Sequence, residues 1–198
     1  MADAEPDEVE DTGYKAPAQK SVAEMTELDK DDEALNRWKA QLLGGAKGGG
    51  EGPPVTVQRM VVVGPDKLDL KGPPKELSLI LDDEARVASY KEKAAAFTFQ
   101  EAADYCIKVE FTVNKEVVSG LKLINKVKRK GIKVDTQNFM FGSYGAKEEG
   151  QCAYSSVQDV PKGMLARGFY TVNSKFIDDD KMIHAEWDWC FHIKKTWE

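Results

Sequence analysis

The chain has 198 residues, 41% of them hydrophobic and 31% charged, with a net charge of −6 and three cysteines. That length holds one good-sized domain with appendages and leaves little room for two. No apolar run approaches the ~20 residues of a membrane-spanning helix, no secretory leader pattern opens the chain, and the odd cysteine count without CxxC spacing argues against a disulfide frame, so a soluble cytosolic protein is expected.

The charge is unevenly placed. Residues 1–33 carry twelve acids and three lysines, a local charge of −9, which leaves +3 for the remainder. Such an arm favours a basic partner surface and disfavours bare nucleic acid or anionic lipid. Residues 1–20 are highly charged and poor in large apolar groups, the composition of a disordered segment. Ser21 to Glu24 then fits a capping box, with Val22, Met25 and Leu28 at a spacing of three behind it. Asp31 or Asp32 is placed to cap a second short helix whose apolar face is Leu35, Trp38 and Leu42, and Gly44 is placed to end it. Both pieces are shorter than isolated helices need to be stable, so the pair is expected to order against something else. Residues 44–54, "GGAKGGGEGPP", hold six glycines in eleven positions and read as a flexible tether; they lack the GxxxxGK[ST] of a phosphate loop. The expected organisation is an arm over residues 1–54, with a helical hairpin at about 21–43, and a folded domain over 55–198.

From Val55 the hydrophobic period changes from 3.6 to 2. Tyr105, Ile107, Val109, Phe111 and Val113 alternate with Cys106, Lys108, Glu110 and Thr112. Ile183, Ala185, Trp187, Trp189, Phe191 and Ile193 share one face of the last strand, and His184, Glu186, Asp188, Cys190, His192 and Lys194 the other. Further strands are predicted at "VTVQRMVVV", "ELSLIL", "AFTF", "EVVSGLKLI", "GIKVD…FMFGSY", "CAYSSV", "GFYTV" and "SKFI", with turn signals at Val113–Lys115 and Gly142–Gly145. Eight to ten short strands without intervening helices predict an all-β, immunoglobulin-like sandwich.

Little in the chain suggests catalysis. His184 and His192 lie eight positions apart on one strand, more than about 25 Å at the rise of an extended chain, so they share no metal and read as solvated surface residues. No nucleophile–base spacing emerges, and no cofactor motif is present. The basic run "KVKRKGIK", Lys126 to Lys133, lacks the interleaved aromatics of a single-strand nucleic-acid binder. "DDDK", Asp178 to Lys181, reads as an exposed acidic turn because it lacks the further ligands of a calcium loop. The aromatic weight of the predicted inner faces, Phe97, Phe99, Tyr105, Phe111, Trp187, Trp189 and Phe191, fits either a close-packed core or a sandwich whose sheets part to admit an apolar ligand.

Seven strings carry a specific resemblance: "YKAPAQKS" (14–21), "ELDKDDEAL" (27–35), "VVSGLK" (117–122), "RKGIKVD" (129–135), "GSYG" (142–145), "PKGMLARG" (161–168) and "DDDK" (178–181). In this order they resemble the Rho GDP-dissociation inhibitors, cytosolic non-enzymatic proteins that bind prenylated Rho-family GTPases. The resemblance covers Tyr14 to the C-terminus. It implies a one-to-one complex with a mainly GDP-bound Rho- or Rac-type GTPase, extraction of that partner from membranes without stable insertion, and inhibition of GDP release. It further implies that Tyr14, Asp31, Asp32, Leu35 and Trp38 contact the GTPase switch regions, with Trp38 standing where the family usually has tyrosine. Asp135, Asp179 and Asp180 match sandwich acids that face basic partner residues. A geranylgeranyl pocket would be lined by Phe97, Tyr105, Val117, Val172 and Trp189, with Leu42 and Leu43 near its mouth. The chain departs from the family over residues 64–93, which look longer, and in Phe169 and Ala96, where serines are common; Ser21 remains as a phosphorylatable position. A carrier of lipidated cargo built on the same sandwich, of the phosphodiesterase delta-subunit type, is the alternative expectation.

Overall fold

The computed structural model describes residues 32–37, 52–64, 77–115, 117–147 and 149–197. Tyr14, Asp31, Trp38, Leu42 and Leu43, the first helix expected from Ser21 and most of the glycine tether lie outside the described residues. Within the arm, residues 33–37 are helical, and Asp32 caps them as expected: its Oδ1 accepts from the amides of Ala34 at 2.9 Å and Leu35 at 3.0 Å.

Alternating hydrophobicity becomes ten strands: β1 Val55–Val63, β2 Leu77–Ile80, β3 Phe97–Gln100, β4 Asp104–Val113, β5 Val117–Arg129, β6 Ile132–Gly145, β7 Gln151–Tyr154, β8 Gln158–Asp159, β9 Gly168–Ile177 and β10 Ile183–Lys194. They form two five-stranded sheets. One runs β2-β1-β4-β7, with β8 also paired to β4; the other runs β3-β10-β9-β5-β6. All pairs are antiparallel except β3 with β10. The inner faces meet in a core centred on Phe111, Phe176, Met60, Leu79, Leu121 and Leu123, each essentially without solvent contact. The all-β sandwich expected from periodicity is the observed fold.

Four local expectations are corrected. The glycines at 142–145 do not turn the chain: β6 runs through them, and Gly142, at φ 102°, serves a bulge where Leu121 pairs with Gly142 and Lys122 with Met140. The turn of this hairpin is instead Lys130 and Gly131, both at positive φ, the pair of conformations that a type I′ connection demands. "GFYTV" and "SKFI" are one strand, β9. A helix does intervene, α1 at Glu84–Ser89, capped by Asp83 and followed by a 3-10 turn at Lys93–Ala95. This segment covers part of the outer face of β10. Cys190, assigned by alternation to the solvent face, is buried beneath it, sharing its S–H between the carbonyls of Tyr90 at 3.3 Å and Glu92 at 3.2 Å, and burial pushes the thiol pKa up.

Candidate functional site

The two sheets part at one end. There the β5–β6 hairpin, the start of β9 and the end of β10 face the start of β4 and the segment from Gln158 to Ala166. Between them lies a cavity of about 630 Å³. Its walls are mostly apolar: Phe99, Tyr105, Ile107, Val127, Val160, Tyr170, Val172, Trp189, Phe191 and Ile193. Arg129, Asp135, Gln137, Gln158 and Asp159 supply polar groups, and Val134, Pro161, Lys162, Leu165 and Ala166 complete the outer lining. The period of two explains the membership, since Val127 with Arg129, Tyr170 with Val172, and Trp189 with Phe191 and Ile193 are same-face neighbours.

The lining aromatics are held by one another. Phe99 packs on Tyr105 at 5.2 Å and edge-on to Phe191 at 5.0 Å, and Tyr170 stacks on Phe191 at 5.1 Å with rings 7° apart. The guanidinium of Arg129 lies 5.3 Å from the Tyr170 ring centroid.

Inward, the cavity stops at a polar rung. Trp189 Nε1 donates to Ser174 Oγ at 2.9 Å, Ser174 Oγ donates to Asn125 Oδ1 at 2.7 Å, Asn125 Nδ2 reaches Gln137 Oε1 at 3.5 Å, and Gln137 Nε2 donates to Tyr105 Oη at 3.3 Å. Ser174 and Asn125 are fully buried. On β5, β6, β9 and β10 the cavity lining ends at Val127, Gln137, Val172 and Trp189, so this rung lies at the floor. Burial holds the Tyr105 phenol above its usual pKa, an effect that the bond from Gln137 opposes and the nearby Asp135 and Asp159 charges add to.

Of the residues expected to line a lipid pocket, Tyr105, Val172 and Trp189 do line this cavity. Phe97 stands one layer behind, its ring 5.9 Å from that of Trp189. Val117 lies at the opposite end of β5, paired with Gly145, and does not border the cavity. Part of the lining missed from sequence was legible as same-face neighbours of residues already chosen: Phe99 beside Phe97, Ile107 beside Tyr105, Tyr170 beside Val172, and Phe191 then Ile193 beyond Trp189. Arg129, Gln137 and Leu165 carried no such signal, because they come from a hairpin end, a half-buried edge position and a loop.

The three sandwich acids do not form one cluster. Asp135 pairs with Val127 and lines the cavity. The Asp179 amide donates to the Ser119 carbonyl, eight residues back along β5, which is about 26 Å at the rise of an extended chain. Its carboxylate lies over Gly120 (φ 62°), where an added Cβ would fall 2.0 Å away from it, and faces Lys122 at 3.9 Å. Asp180 is exposed beside it. The neighbouring Asp178 is not part of an exposed acidic turn as expected. It is buried, accepting from the Met182 amide at 2.9 Å and pairing with His184 Nε2 at 2.9 Å, and the His184 side chain is as buried as its partner. That removes His184 from the solvated surface: the turn after β9 folds Asp178 over it. His192 is half-buried against Phe169 at 5.1 Å, and burial, with Lys194 and Lys93, lowers its pKa. Among the described residues no three His, Cys, Asp or Glu side chains group to hold a metal ion, and no helix is long and apolar enough to cross a membrane.

These features define a class: a β-sandwich with an internal, mostly apolar cavity of small-molecule size, opening between its two sheets. The family model for the RHO protein GDP dissociation inhibitor matches residues 1–196. The chain is 44% identical to Rho GDP-dissociation inhibitor 1 of Homo sapiens over 186 residues, covering 93% of this chain and 87% of that protein. It is 36% identical to Rho GDP-dissociation inhibitor 3 of Bos taurus over 192 residues (93% and 79%), and 38% identical to the Rho GDP-dissociation inhibitor of Schizosaccharomyces pombe over 180 residues (90% and 84%). The chain belongs to the Rho GDP-dissociation inhibitor family. The role of that family is regulatory inhibition of Rho proteins, and it is not an enzymatic one.

Proposed function

We propose that this chain extracts prenylated Rho-family GTPases from membranes by burying their geranylgeranyl group in the sandwich cavity, while residues 1–54 hold the switch regions and slow GDP release. The observation that carries this reading is the cavity itself: about 630 Å³, walled by aromatic and branched side chains and open at one end. A twenty-carbon isoprenoid gains on the order of 10 kcal/mol or more in a bilayer, at about 0.8 kcal/mol per buried carbon. A competitor must therefore enclose the chain, which a slot between sheets does and a surface patch does not.

In this reading Tyr105, Val172 and Trp189 contact the lipid and Phe97 backs Trp189. Asp32, Leu35, Tyr14, Asp31 and Trp38 address the switches, and Leu42 and Leu43 lie near the lipid. Asp135 at one end of the second sheet, and Asp179 and Asp180 at the other, meet separate basic regions of the partner. The complex is one-to-one and cytosolic, and it forms mainly with the GDP-bound partner. Holding the switches keeps nucleotide in place because release requires those segments to move.

The test is sedimentation of membranes bearing geranylgeranylated, GDP-loaded Rho-type GTPase after addition of the full chain. The GTPase should move to the supernatant and its GDP release should slow. A GTPase that stays in the pellet at saturating protein overturns the proposal. Removal of residues 1–54 separates the carrier reading: a general carrier keeps its affinity for a geranylgeranylated peptide and never affected GDP release, whereas an inhibitor loses the effect on release.

A further inference from the structure

The cavity mouth is bordered by two segments that hold apolar side chains in water. On the β5–β6 hairpin Ile132 is 71% exposed, and in the loop between β8 and β9 Met164 is 83% and Leu165 90% exposed. The loop is fixed from both sides. Arg129 Nη2 donates to the Arg167 carbonyl at 2.7 Å and Nη1 donates to that of Leu165. Glu101 accepts from the Gly163 amide at 2.8 Å and from Arg167 Nε and Nη2 at 3.0 and 2.6 Å. The exposure of Met164 and Leu165 is thus a property of an anchored loop, and contiguous exposed apolar groups of this kind mark an interaction site.

Exposed lysines outnumber exposed acids around them. Lys128, Lys130, Lys133 and Lys162 are all exposed, and none forms a salt bridge with a described residue. The exposed acids at this end are Asp104, Asp135 and Asp159, of which Asp135 and Asp159 line the cavity, while Glu101 is bound to Arg167. On the outer face of the hairpin the cations crowd one another; the Lys126 ammonium is held below its usual pKa by burial first, then by Lys175, Lys133 and Lys128. Protein–protein interfaces are depleted in lysine, and nucleic-acid grooves interleave aromatics that this rim lacks. Apolar tips set among unpaired lysines suit the headgroup region of an anionic bilayer.

We propose that the cavity mouth is a membrane-docking face: Ile132, Met164 and Leu165 enter the headgroup layer while Lys130, Lys133 and Lys162 meet anionic lipid phosphates. Seated this way, the cavity opens toward the bilayer, and a prenyl group passes from one apolar medium to the other with little exposure to water. This rests on the lipid-cavity reading above, and it adds a second, transient partner surface that needs no GTPase.

The experiment is co-sedimentation of the full chain, without GTPase, with phosphatidylcholine vesicles and with vesicles containing about one third phosphatidylserine. Binding is expected on the anionic vesicles alone and should be released at high salt, where surface charges are screened. Lys130→Glu with Lys133→Glu should weaken it by about tenfold or more, and Ile132→Asp with Met164→Asp should do likewise. None of these four side chains lines the cavity, so affinity for a geranylgeranylated peptide in vesicle-free solution should be unchanged. Wild-type protein left in the supernatant with anionic vesicles overturns the proposal, as do variants that sediment like wild type. Variants that lose affinity for prenylated GTPase in solution assign the face to a protein partner and also overturn it. A chain that docks on anionic vesicles with the expected variant losses, yet fails to bind the prenylated peptide in solution, supports the docking face and sinks the lipid-cavity reading alone.

Discussion

Glu110 shows how one residue on the outer face of a sheet couples strand pairing to pH. Its carboxylate accepts from Arg59 Nε at 2.8 Å and Nη2 at 3.0 Å on the neighbouring β1, and from Lys108 Nζ at 2.5 Å two positions away on its own strand. The Arg59 bonds, then the Lys108 bond, pull its pKa down to about 2, against a burial effect that works the other way. A carboxylate whose folded pKa lies below its unfolded value stabilises the fold while ionised in both states, and loses that contribution as pH falls through the folded value. The window here runs from the ordinary glutamate value of 4.5 down to about 2. Urea midpoints for the wild type should therefore fall steeply across that range, and Glu110→Gln should flatten that part of the profile while lowering the midpoint at neutral pH. Parallel profiles for the two proteins would show that the Arg59–Glu110–Lys108 cluster contributes nothing to acid sensitivity.

At the scale of elements, the polar rung is where sheet packing and site meet. Ser174 on β9 links Trp189 on β10 to Asn125 on β5, three neighbouring strands tied beneath the cavity by one hydroxyl. Ser174→Ala leaves the indole N–H and the Asn125 carbonyl buried without their partner, which costs about 1–3 kcal/mol. Adding Asn125→Leu to Ser174→Ala removes one orphaned group and should recover part of the loss in urea unfolding. A double variant less stable than the sum of its singles would show that the rung stabilises through packing instead. Sequence alternation made most of the strands legible because one face of each is buried. It could not show the rung, since a serine and an asparagine on inner faces look like interruptions until their strands are paired. It missed α1 because a six-residue helix with no buried residue carries no 3.6-residue stripe, and β8 because two residues have no period. It misread Gly142 because a bulge and a turn ask the same conformational freedom of glycine. Alternation put His184 on a solvated face, but β10 bulges between Ile183 and Ala185, and the folded turn supplies the Asp178 that buries it. The cavity floor and the exposed loop at its mouth are likewise products of tertiary placement, whereas the arm's acids and the hairpin's lysines were plain in the sequence.

For the whole molecule, the separation of charge sets how it meets its partners. Residues 1–33 carry −9 and the rest of the chain +3, with lysines gathered at the β5–β6 end of the sandwich. Two partners of opposite sign suit such a molecule: a basic region of a GTPase for the acidic arm, and an anionic surface for the cavity mouth. Long-range attraction of this kind acts on the rate of encounter more than on the final affinity, and salt screens it. Association with a geranylgeranylated GTPase bearing a basic tail, followed in vesicle-free solution, should slow several-fold between about 50 and 500 mM salt, as the Debye length shrinks toward the contact distance. Removal of residues 1–33 should slow association at low salt and leave a rate nearly independent of salt, because the remaining +3 offers a basic tail no attraction. An unchanged salt slope after that removal would mean that the acids of the sandwich, Asp135, Asp179 and Asp180, steer the encounter and that the arm acts only after contact.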